Sequence, residues 1–125
     1  MGEKRRVRRL VVGDATWLWA VRHRCGRRDG RFGCRETLSL HREEAGTTLR
    51  LVFSAGPGRF VPEYTGHTGS VSNGTDHLNL NEPGVVRRLL DLAVAHDAVP
   101  GSPGTKEIDA WPLFDAVVGP DRPLG

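Results

Sequence analysis

A chain of 125 residues, 38% apolar and 26% charged, has room for one hydrophobic core rather than two and lies outside the disordered range. Its basic side chains are 16 arginines against Lys4 and Lys106, and residues 1–50 carry a net charge of +7 while residues 51–125 carry −4. No apolar run approaches the ~20 residues a spanning helix requires, and Gly13, Asp14 and Arg22 interrupt Lys4–Val12 too soon for a secretory leader, so the chain reads as cytoplasmic with no membrane partner.

Arg6 to Val12 predicts a first strand, closed by the turn residues Gly13 and Asp14. Thr16 to Arg24 predicts a second, in which Trp17, Trp19, Val21, His23 and Cys25 alternate with Leu18, Ala20, Arg22 and Arg24. Gly26 to Gly33 reads as a polar loop. Cys34 to Arg42 predicts a third strand, with Cys34, Glu36, Leu38 and Leu40 on one side and Arg35, Thr37, Ser39 and His41 on the other. If the two strands pair antiparallel so that residue numbers across the ladder total 59, Trp19 faces Leu40, Val21 faces Leu38 and Cys25 faces Cys34. A slip of one residue would set Trp19 beside Ser39 or His41, so burial selects the register.

Glu43 to Gly46 predicts a short turn, and Thr47 to Ser54 a fourth strand with Leu49, Leu51 and Phe53 on the apolar side. Gly56-Pro57-Gly58 ends this region. Glu63 to Asn81 is rich in Gly, Ser, Thr, Asn and His and reads as a long loop, with Val71, Leu78 and Leu80 spaced like strand fragments. A helix follows. Asn81 or Glu82 caps it, Pro83 occupies the first turn, and Val86, Leu89, Leu90, Ala93 and Val94 form its buried stripe opposite Arg87, Arg88 and Asp91. The segment Asp97 to Gly104, with Pro100 and Pro103, stops it. Lys106 to Asp109 predicts a fifth strand and Pro112 to Val118 a closing helical turn. The expected fold class is α+β: an antiparallel β-meander of four to five strands with one main helix packed on one face. Residues 1–125 form a single domain on this reading, with flexible ends at 1–5 and 119–125.

The runs Trp17-Leu18-Trp19-Ala20-Val21-Arg22-His23, Leu78-Asn79-Leu80-Asn81-Glu82-Pro83-Gly84-Val85-Val86-Arg87-Arg88-Leu89-Leu90 and Ile108-Asp109-Ala110-Trp111-Pro112-Leu113-Phe114-Asp115 resemble a group of small uncharacterised actinobacterial proteins. The resemblance implies a single domain and carries no activity, ligand or partner.

Three constellations bear on function. Arg22, Arg24, Arg35 and His41 share the face away from the helix, with Arg50 joining them from the fourth strand. Guanidinium groups suit carboxylates of a protein partner and phosphates of a nucleic acid alike. The strand aromatics Trp17, Trp19 and Phe53 fall on the core side, which argues against a base-stacking surface. His23, Cys25 and Cys34 lie on the apolar side and His41 on the other, so a zinc site built on His23, Cys25 and Cys34 needs a loop histidine, and the spacing lacks a close C-x2-C pair. The two cysteines are also placed for a disulfide, although a reducing cytoplasm favours two free thiols. Finally, residues 64–77 hold hydroxyls with His67, Asp76 and His77, the ingredients of a nucleophilic site, but turn chemistry accounts for the same composition. Gly101 to Lys106 lacks the spacing of a phosphate loop. The sequence therefore favours a non-catalytic protein-interaction or accessory module acting through the arginine face, with nucleic-acid binding as the alternative and an enzyme in the 64–77 loop third. No cofactor or metal is expected.

Overall fold

The structure, a computed structural model, describes residues 7–63 and 69–119. The expected flexible ends lie outside those residues, Gly119 excepted, and so does His67. Four strands follow one another: β1 (Arg8–Val12), β2 (Ala15–Arg28), β3 (Arg31–Arg42) and β4 (Thr47–Ser54). A small hairpin comes next, β5 (Ser70–Ser72) and β6 (His77–Asn79), then helix α1 (Pro83–Ala95), strand β7 (Gly104–Asp109) and helix α2 (Trp111–Val118). The main sheet runs β1-β2-β3-β4-β7, antiparallel except that β7 pairs parallel with β4. The fold is α+β, as the alternation and the one amphipathic segment imply.

The register across β2 and β3 is the one that burial selects: Trp19 pairs with Leu40, Val21 with Leu38 and Cys25 with Cys34. The expected loop at 26–33 is a correction. The ladder continues through Gly26–Gly33 and Arg27–Phe32 to Arg28–Arg31, leaving only Asp29 and Gly30 to turn the chain. Both have positive φ, 53° and 78°, the conformation a two-residue type I′ turn demands. Asp-Gly is the strong short-range hairpin signal, and the surrounding Arg and Gly residues conceal it by lacking alternation.

One face of the sheet carries the core. Trp17, Trp19, Leu38, Leu40, Leu49, Leu51 and Phe53 meet Val86, Leu89, Leu90 and Ala93 of α1 and Trp111, Leu113 and Phe114 of α2 in one buried cluster. Each large apolar side chain so buried contributes about 1.5–3 kcal/mol. Val94 departs from the expected stripe: it is 57% exposed, and Val85 is buried in its place. The buried arc is therefore centred nearer the start of α1, because its last turn runs on into the cap. There Ala98 N–H donates to Ala93 O and Asp97 N–H to Val94 O, with Asp97 at φ 57°, a Schellman closure using Asp in place of Gly. Pro83 opens the helix, and the Glu82 carbonyl accepts the Val85 and Val86 N–H groups.

Residues 69–82 of the long segment after β4 are more regular than their composition suggests. Val71, Leu78 and Leu80 are buried in the core, and the Asn73 side chain accepts the N–H groups of Thr75 and Asp76 to make the β5–β6 turn. Leu80 N–H donates to Gly69 O. No helix among the described residues is long and apolar enough to cross a membrane.

Candidate functional site

The pleat that sends Trp19 and Leu40 into the core sends Arg22, Arg24, Arg35, His41 and Arg50 to the opposite face, which neither helix covers. Register sets the spacing: Arg24 stands directly opposite Arg35, Arg22 opposite Thr37, and Arg50 opposite Ser39. Like charges facing each other across a ladder destabilise it. Arg50 meets Glu107 of β7 at 3.8 Å, whereas Arg22, Arg24 and Arg35 make no ion pair among the described residues. Arg35 Nη1 is buried and has no hydrogen-bond partner. Arg22, Arg24, Arg35 and Arg50 border a depression of about 110 Å³ together with one acid, Glu107. His41 lies further along the same face, its Nδ1 2.8 Å from Thr48 Oγ1.

On the core side, the turn end of the same hairpin holds a second constellation. Cys25 and Cys34 are joined as a disulfide, with Cα atoms 3.9 Å apart. The expectation of two free thiols is corrected here, since direct cross-strand neighbours need almost no backbone movement to bond. His23 Nε2 lies 3.1 Å from Cys25 Sγ, and His23 Nδ1 lies 2.5 Å from Glu36 Oε2. Glu36 is 0% exposed and His23 7%. Burial pushes the Glu36 carboxyl above the usual carboxylate range, while the hydrogen bond and charge of His23 and the backbone N–H of Gly69 oppose that rise. Glu36 Oε1 has no well-formed hydrogen bond of its own. Sequence reasoning missed this carboxylate as a functional group. Its signal was present: Glu36 occupies an inward position between Cys34 and Leu38, and the register sets it directly across from His23.

The zinc alternative draws on the same atoms. The donors of His23, Cys25 and Cys34 lie within 4.8 Å of one another, but the two sulfurs are bonded to each other. His41 sits on the other face. His77 Nε2 is 3.0 Å from Ser70 Oγ within the β5–β6 hairpin, so it is not part of the cluster. Among the described residues of the loop, Asp76 lies in the Asn73 turn and His77 contacts Ser70, while His67 lies outside the described residues.

No protein-family model, curated protein or solved structure matches this chain.

Proposed function

We propose that this domain is a protein-interaction module that docks an acidic protein surface on the arginine-bearing face of its sheet. The observation that carries this reading is the opposed pair Arg24 and Arg35. Two cations held face to face, flanked by Arg22 and by Arg50, cost stability in the free domain and are relieved by a partner that brings carboxylates. Bidentate pairing with Asp or Glu uses the planar fork of each guanidinium. A nucleic acid would satisfy the same charges through phosphates, but the strand aromatics Trp17, Trp19 and Phe53 that would stack its bases are all buried on the other side.

The test uses a fluorescent peptide of alternating Asp and Glu beside single-stranded RNA and DNA of equal charge, titrated at low and moderate salt. The reading expects the peptide to bind at low salt and the Arg22→Ser/Arg50→Ser variant to lose at least ten-fold in affinity. Equal binding by variant and parent, or no peptide binding at low salt, overturns it. Tighter binding of RNA or DNA with a steep salt dependence would favour the nucleic-acid alternative instead.

A further inference from the structure

We propose that Cys25 and Cys34 form a thiol–disulfide exchange centre, in which Cys25 is the attacking sulfur, His23 its proton partner, Glu36 the group that positions His23, and Cys34 the resolving sulfur.

The location of the disulfide argues against a purely structural cross-link. It spans a sequence separation of 9 beside a two-residue turn, where the strands are already held together. Closing so short a loop restricts the unfolded chain less than closing a long one would. A structural bond also has no need of a buried His–Glu pair at its side, and burying those groups costs free energy. The arrangement instead matches what an activated sulfur requires: a base in contact with it and a third group orienting the base.

The two sulfurs are not equivalent. Cys34 is 4% exposed and walled by the core, whereas Cys25 is half-buried and touches His23. Both border a surface cleft of about 720 Å³ at the turn end of the hairpin, with Phe32, 67% exposed, at its edge. Arg24, Arg27, Arg31 and Arg35 line that cleft against one acid, Asp29. On the core side the groups facing Cys25 are His23 and, through it, Glu36. The field at Cys25 is thus predominantly cationic, which favours a thiolate and an anionic substrate.

In the reduced protein the Cys25 thiol gives its proton to His23 Nε2. The thiolate attacks one sulfur of a substrate disulfide; that bond breaks, a mixed disulfide to Cys25 forms, and the leaving thiolate takes the proton from His23. The Cys34 sulfur then attacks Cys25, forming the Cys25–Cys34 bond and releasing the second substrate sulfur with the Cys34 proton. Two electrons pass from the cysteine pair to the substrate disulfide, which becomes two thiols. A dithiol reductant reverses the change in the protein. The substrate class is a disulfide carried on an anionic molecule.

The decisive measurement is the pH dependence of iodoacetamide alkylation in the Cys34→Ser protein, where Cys25 is the single thiol. The expected half-maximal rate lies below pH 7, against roughly 8.5 for an ordinary thiol. Adding His23→Gln should move it up by at least one pH unit, and adding Glu36→Gln should move it by less. In the wild-type protein after reduction, exchange with glutathione disulfide should outrun exchange with the cationic disulfide cystamine, each rate divided by that of mercaptoethanol with the same reagent. Should the Cys34→Ser protein lose its near-ultraviolet tryptophan signature, the wild-type exchange rates decide alone. A midpoint at or above pH 8 in a folded protein refutes the centre, as does wild-type exchange no faster than mercaptoethanol. Stoichiometric binding when zinc alone is titrated into the reduced protein would replace it with a metal site.

Discussion

The two faces of the β2–β3 hairpin obey one register and treat charge in opposite ways. On the core side, His23 and Glu36 stand opposite each other, buried and closed into a hydrogen-bonded pair. On the outer side, Arg24 and Arg35 stand opposite each other one step along the same ladder, with no ion pair among the described residues. A buried ionisable group must be matched because desolvation is costly, whereas solvent screens an exposed one enough for mismatch to persist. His23 and Glu36 answer each other within the fold, whereas Arg24 and Arg35 do not, and Arg35 Nη1 lies buried without a hydrogen-bond partner among the described residues.

The largest expected effect tests the sidedness of the core itself. Leu89, fully buried on α1, should not tolerate a carboxylate: Leu89→Asp is expected to cost at least 4 kcal/mol and to unfold much of the protein at room temperature. Arg88→Asp, one residue earlier and exposed, should stay within about 0.5 kcal/mol. Equal urea midpoints for the two variants would contradict the placement of α1 on the sheet.

Reduction of the Cys25–Cys34 bond comes next. A loop of this length is expected to yield about 2–3 kcal/mol through the unfolded chain, and the rest of the core remains. Reduced protein should therefore keep its tryptophan signature while its denaturation midpoint falls. Loss of the signature on reduction would show that the hairpin end depends on the bond.

A smaller effect sharpens the buried side of the comparison. The Glu36 carboxyl titrates above its ordinary value of 4.5 in the folded state because it is desolvated. As pH rises from about 4.5 through that raised value, the unfolded chain releases this proton before the folded one does, so the fold loses stability. Glu36→Gln removes the titration. Urea midpoints measured across that window should fall with pH in the wild type relative to the variant, and parallel profiles would sink the assignment.

The smallest effect belongs to the outer side. Arg24→Thr relieves the like-charge pair and adds a β-branched residue, so stability should rise by about 0.2–1 kcal/mol in thermal denaturation. A loss of stability would mean that Arg24 and Arg35 are not in opposition in solution.

Much of this molecule was legible because period-2 alternation is strong in β2, β3 and β4. Trp17, Trp19, Leu38, Leu40, Leu49, Leu51 and Phe53 fix which way each strand faces, and one apolar register follows from them. The helix was legible from Pro83 and its stripe, but Val94 was misplaced because periodicity does not show where the helix leaves its neighbours. The Asp29-Gly30 turn carried a clear signal that the polar flanks obscured. Glu36 was harder, since a charged residue in an apolar row has meaning only when its cross-strand neighbour is considered with it. The direction of β7 was not readable at all: a parallel pairing depends on how residues 55–103 cross the sheet, a long-range matter that local pattern does not encode.

That parallel pairing has a consequence for the order in which the molecule assembles. The β2–β3 hairpin can zip outward from Asp29-Gly30 through contacts between near neighbours, and β4 adds across the short Glu43–Gly46 turn. Strand β7 must wait until the intervening β5–β6 hairpin and α1 are in place, because its partner β4 lies some fifty residues back along the chain. Mostly solvent-exposed and paired along one side only among the described residues, β7 is expected to be a seam at which the native sheet opens early. Its amide protons between Thr105 and Asp109 should exchange with solvent ahead of those in β3, so that local opening exposes the β4 edge and frees Arg50 from Glu107 while the β2–β3 hairpin stays closed.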